Sequence, residues 1–180
     1  MKIKHISLLA ALIALASPFS SQAYFTTAQS AAAISHQSGV FEIEYAFGLN
    51  DADIRMPVLA AWHLPHESSA QEVGFDLLKD NDYAARDGQA VGIVLANAPI
   101  ENGMYRIEKG AAKKMTLIVF YTAPGKTDAA TYALEVTRLP FYVEKADGTW
   151  DARALNPSEL QYYTTPAITL PASASLSVTH

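Results

Sequence analysis

Phe41, Ile43, Tyr45 and Phe47 alternate with Glu42, Glu44 and Ala46. Successive side chains of a strand point to opposite faces, so this segment predicts one face on a core and the other on water. Tyr132, Leu134 and Val136 alternate in the same way with Ala133, Glu135 and Thr137. Residues 115–121 form an apolar run rich in branched and aromatic side chains, which predicts a central strand covered on both sides. Residues 91–96 resemble it, with smaller side chains.

Turn signals separate these runs at short, fairly even spacing. Asn102-Gly103 stands between 91–96 and 104–108, Pro124-Gly125 closes 115–122, and Asp147-Gly148 joins 141–144 to 149–152 as the strongest hairpin signal in the chain. Pro140 interrupts a longer run and predicts a bend, a bulge or an edge, and Pro57 divides 54–62 for the same reason. Residues 69–79 admit two readings. Ser69-Ala70-Gln71-Glu72 has the form of a helix capping box, with Val73, Leu77 and Leu78 on one helical face, whereas Gly74 and Asp80-Asn81-Asp82 favour a strand. Many short strands without alternating helices predict an all-β fold, a single antiparallel β-sandwich that is immunoglobulin-like in general architecture.

The amino terminus has a different pattern. Lys2, Lys4 and His5 precede an apolar run over 6–16, Pro18 breaks it, and Ser21 and Ala23 are small residues placed for cleavage before Tyr24. These are the three parts of a secretory signal. The run is shorter than the ~20 apolar residues of a spanning helix. The expected organisation is a signal peptide over 1–23, a polar N-terminal arm over 24–38, a β-sandwich domain over 39–170 and a flexible tail over 171–180. The expected location is secreted, extracellular or periplasmic. The arm and the tail, rich in Ala, Ser, Thr and Gln, read as loose tails or weak edge strands. Within the arm, the spaced apolar residues Tyr24, Phe25 and Ile34 are candidates to fill pockets on a partner's sheet edge.

Composition narrows the function classes. The chain of 180 residues is one ordinary domain behind its leader, and it has no cysteine, so neither a disulfide framework nor a lipidated cysteine is available. The formal charge is −5, and loss of Lys2 and Lys4 with the leader makes it more negative by two. An acidic chain whose only basic doublet is Lys113-Lys114 excludes nucleic acid and anionic membrane as expected partners. Proteins are the expected partners, the chain itself among them, with no membrane association after signal cleavage.

Few residues suggest chemistry. His63-Leu64-Pro65-His66-Glu67 holds three potential ligands, but Pro65 forbids a helix and the order matches no zinc-peptidase pattern. Gly125-Lys126-Thr127 follows an apolar strand, yet Phe120 occupies the position where a phosphate-binding loop needs its first glycine. Asp76, Asp80, Asp82 and Asp87 crowd one stretch and Asp51 and Asp53 another, but Ala84 breaks the spacing of a calcium loop. There is no Gly-x-Ser-x-Gly elbow, and a triad would have to draw on His36, His63 or His66. Glu42 and Glu44 share a strand face that meets water. Trp62, Trp150, Tyr162 and Tyr163 could form an aromatic platform for sugars, with Trp62 placed toward the core by its parity with Ile54, Met56 and Val58. The expectation is a non-enzyme without catalytic residues, cofactor or metal.

Ala23-Tyr24-Phe25-Thr26-Thr27 resembles the cleavage junction of camelysin/TasA-like biofilm-matrix proteins, in which Ala-Tyr-Phe is followed by small polar residues. Here Ser20-Ser21-Gln22 precedes it, where the family tends to glycines, and the aromatic-rich segment over 41–47 follows. The resemblance covers residues 20–47. It implies an exported, cysteine-poor sandwich that assembles into extracellular fibres. Some members of that family have been called proteases, but no catalytic motif carries over. Two readings follow: a non-catalytic structural or interaction protein of the cell surface or matrix that self-assembles through its arm, or a monomeric secreted binding module for carbohydrate or peptide.

Overall fold

The computed structural model describes residues 22–49, 51–62, 71–83, 88–124, 128–156, 159 and 163–170. These form an all-β protein without a helix among the described residues, built as one large mixed sheet. The strands are β1 (Gln22–Ala33), β2 (Ser38–Leu49), β3 (Ile54–Pro57), β4 (Leu59–Trp62), β5 (Val73–Lys79), β6 (Asp82–Tyr83) and β7 (Gln89–Ala96). They continue with β8 (Ile100–Glu101), β9 (Met104–Ile107), β10 (Lys113–Thr122), β11 (Ala130–Glu144), β12 (Trp150–Leu155) and β13 (Ile168–Leu170). Along the sheet the order is β1-β2-β10-β7-β4-β5-β11-β3-β9-β8, with β12 and β13 on β11 and β6 on β5.

The alternation read in β2 is realised, with Phe41, Ile43, Tyr45 and Phe47 buried. Residues 73–79 are a strand, which settles the helix-or-strand ambiguity: Val73, Phe75 and Leu77 are fully buried. Both hairpin signals hold. Asn102 and Gly103 adopt the positive φ that a two-residue hairpin turn requires, between β8 and β9. Gly148 does the same between β11 and β12, where Gly148 N donates to Lys145 O and Lys145 N to Thr149 O.

The prolines act as punctuation. Pro57 ends β3, and the next strand, β4, belongs to a different part of the sheet. Near Pro140 strand β11 changes neighbours. This one long strand pairs with β5 and β13 along its first half and with β12 and β3 along its second, and its register shifts between Val136 and Arg138. Phe47 of β2 meets Phe141 of β11 edge-on at 4.9 Å between ring centroids, and Tyr121 of β10 lies 5.0 Å from Tyr132 of β11. These contacts join strands that are distant along the sheet order, so the sheet curls back over its own inner face and the core lies inside that curl.

Three expectations need correction. The sheet is mixed rather than antiparallel, because β4 and β5 run parallel from Ala60↔Val73 to Trp62↔Phe75. Strand β10 is central in order but covered on one face only: Met115, Leu117, Val119 and Tyr121 are buried while Phe120 is 48% exposed. Strand β11, read as half-polar, is the one buried on both faces, because Ala133, Glu135 and Thr137 are enclosed as well as Tyr132, Leu134 and Val136.

Candidate interaction surface

The stretch expected as an N-terminal arm contains strand β1. It pairs with β2 from Gln22↔Leu49 to Ala33↔Gly39, with a register shift between Thr26 and Ala28. Of the two readings of this segment, tail or edge strand, the described residues adopt the second. Small polar residues can do this because a ladder is held by backbone hydrogen bonds, which every one of them supplies. β1 ends the sheet, and β2 is its only strand partner among the described residues.

Tyr24 stands opposite Phe47 and Phe25 opposite Ala46 along the ladder; their side chains lie outside the described part of the structure. Ile34 is 57% exposed at the turn into β2. That turn is tight. Ile34 N and Ser35 N donate to Ser38 O, Ser38 N donates to Ser35 Oγ at 3.0 Å, and Ala123 N donates to Gln37 O. Ser38 Oγ also lies 3.0 Å from Thr122 Oγ1 across β10. The three proposed arm residues are thus strung along one edge strand and its turn.

The carboxylates on the outer face of β2 have local partners. Lys114 Nζ donates to Glu44 Oε1 at 2.7 Å and Ser30 Oγ to Glu42 Oε2 at 3.3 Å. Both contacts are exposed and each stabilises by only ~0–1 kcal/mol.

The candidate chemical groups are dispersed. His63, His66 and Glu67, Asp87, Gly125-Lys126-Thr127 and Tyr162 lie outside the described residues, and His36 is exposed in the β1–β2 turn. The acids of the supposed loop separate. Asp76 is fully buried within β5, Asp80 turns the β5–β6 hairpin with φ 53°, and Asp82 is exposed in β6. Asp80 accepts from Thr131 N and Thr131 Oγ1, and these hydrogen bonds hold its carboxyl below the ordinary range. Asp53 accepts from Arg106 Nη2 at 2.8 Å and Arg106 Nε at 3.2 Å, and from Lys109 N at 2.9 Å. The Arg106 bonds come first in lowering its pKa, the Lys109 amide second.

The aromatic platform is not assembled among the described residues. Trp62 packs on the core, donates Nε1 to Asp76 Oδ1 at 2.6 Å, and meets Tyr121 edge-on. Tyr163 also packs against the core. Trp150 stands elsewhere with Arg55 over its ring at 4.0 Å, and Arg55 and Arg106 share Glu101.

Sequence reading missed one chemical feature. Asp76 and Glu135 stand directly opposite each other on β5 and β11, both buried. Glu135 sat in an alternating pattern that predicts water on its side, and Asp76 sat among other acids near a turn. Only the pairing of β5 with β11 brings them together. No protein-family model, no curated protein and no solved structure matches the chain.

Proposed function

We propose that the chain is an exported, non-catalytic structural protein of the cell surface or extracellular matrix, whose copies assemble by exchange of the N-terminal strand. The observation that carries this reading is the way β1 is held. Among its residues with described side chains, Ala28, Ser30, Ala32 and Ala33 are exposed, and Gln29 and Ala31 are half-buried. Over residues 28–33 backbone bonds to β2 supply most of its attachment, and the same bonds form equally well with β2 of another copy. Opening at residues 34–37 converts the cis pairing into a trans pairing at little cost in contacts, and head-to-tail repetition of that pairing grows a filament. The resemblance of residues 20–47 to the camelysin/TasA-like junction points the same way. In this reading signal cleavage frees the strand's outer end only after export, and the curled sheet is a β-sandwich whose leaves meet through Phe47–Phe141 and Tyr121–Tyr132.

The test compares a chain that starts at Tyr24 with one that starts at Ser38. The first grows filaments as concentration rises, and the second stays folded and grows none. Absence of filaments from both over the same range overturns the exchange, and a monomeric state of both puts a binding module in its place.

A further inference from the structure

On the outer face of the sheet, Phe120 pairs with Val91, Ile118 with Ile93, and Ile93 with Leu59. Leu95 follows on β7 opposite Thr116. These cross-strand neighbours are contiguous, since directly opposed Cβ atoms lie ~5 Å apart. Val91 is 66% exposed, Leu59 56%, Leu95 49%, Phe120 48% and Ile93 39%. Together they leave roughly 500 Å² of apolar surface, near the top of the ~300–600 Å² of the largest patch on a typical monomer. Val40, half-buried on β2, extends the row beyond Phe120.

We propose that this face of β10, β7 and β4 is a contact surface for a second copy of the chain, packed face to face about a two-fold axis. The area supports a copy as the occupant. Doubled across a two-fold and widened by the Thr116, Thr122 and Gln89 rim, the patch reaches the ~1,200–2,000 Å² total of a specific interface. Its shape supports one too: rows of branched side chains on a sheet interdigitate with their like when two sheets stack ~10 Å apart. Charge disfavours an anionic lipid surface, because Glu42 and Glu44 flank the patch on β2 and the chain carries a formal −5. Ile93 is the centre, with Ile118 and Leu59 on either side and Val91 and Leu95 along its own strand. A two-fold beside Ile93 brings the two copies of that residue together. The contact uses a face rather than an edge and does not require exchange of β1.

The chain has no cysteine, so single cysteines report proximity cleanly. Ile93→Cys in the full chain forms a disulfide-linked dimer under mild oxidation. Ile100→Cys, at a more exposed apolar position on β8, does not. Sedimentation equilibrium gives a concentration-dependent dimer for the unsubstituted chain, and Phe120→Lys weakens it at least ~30-fold, the loss expected at a central contact residue. Should Phe120→Lys misfold, the cysteine pair still decides. A monomer at every soluble concentration, or equal cross-linking at positions 93 and 100, overturns the proposal. A monomer that instead binds zwitterionic phosphatidylcholine vesicles through this face overturns it in favour of lipid. Removal of the residues before Ser38 leaves this dimer intact, and its loss on that truncation overturns a contact made by the face alone.

Discussion

Trp62 donates its indole N–H to the buried carboxylate of Asp76 at 2.6 Å, and the same oxygen accepts Leu77 N at 2.8 Å. The bond ties the end of β4 to the middle of β5, the one parallel pair among the described residues. Parallel pairing is slightly weaker per residue than antiparallel pairing, so a side-chain bond across it has structural value. Trp62→Phe keeps most of the ring's packing and removes the donor. Taking a donor away from a buried carboxyl costs ~1–3 kcal/mol, and urea unfolding of this variant should show a loss of that size. A loss below ~0.5 kcal/mol would mean that Asp76 does not depend on this donor.

The two faces of β10 give a second test. Leu117 is fully buried and Phe120 is 48% exposed, three residues apart on one strand. Leu117→Ala should cost ~2–5 kcal/mol through lost transfer energy and the cavity left behind. Phe120→Ala should cost less than ~1 kcal/mol in the monomer, the range for surface positions. Equal losses in denaturant unfolding would show that the outer face is covered within the single chain.

The contrast between β10 and β11 also shows how far the sequence is legible. Local pattern identified most of the longer strands, the Asn102-Gly103 and Asp147-Gly148 turns and the end of β3 at Pro57, because each depends on neighbouring residues alone; the short β6, β8 and β13 escaped it, and β11 runs on through Pro140. Burial of the second face does not. Phe120 and Glu135 have side chains that suggest the opposite of their observed exposure, and only the order of strands across the sheet decides which face is enclosed. The Asp76–Glu135 pairing was hidden for the same reason, as the two residues are distant in sequence and joined only by the β5–β11 register. The arm was partly legible: its composition allowed an edge strand, but pairing with β2 is a matter of backbone bonds, which leave no mark in the choice of side chain.

Asp53 predicts part of the acid sensitivity. Its folded-state pKa is lowered, first by the Arg106 hydrogen bonds and then by the Lys109 amide. A lowered carboxyl contributes stability that is complete above its unfolded value of ~3.9 and is lost as pH falls through the folded value. Asp53→Asn should therefore be less stable than the unsubstituted chain at neutral pH, with the difference narrowing as pH drops below ~3.9. Denaturant unfolding at pH 7, 5, 4 and 3 measures this. A difference that stays constant over that series would assign the effect to geometry rather than to ionisation.

Native-state hydrogen exchange measures the premise of strand exchange. β1 and β10 both pair with β2, one at the edge and one in the centre. β10 anchors Met115, Leu117, Val119 and Tyr121 in the core, whereas the described side chains of β1 are small and mostly outside it. Local opening is cheapest where little apolar surface must be uncovered. The amides of β1 that bond to β2 should therefore exchange through a local opening several kcal/mol below the global unfolding free energy, while those of β10 exchange only on global unfolding. Adding denaturant separates the two routes, because local opening exposes little surface and its rate hardly responds. Should β1 amides track β10 amides across the denaturant series, β1 opens only with the whole sheet. Exchange between copies would then require unfolding, and assembly through this strand would be confined to the time of first folding.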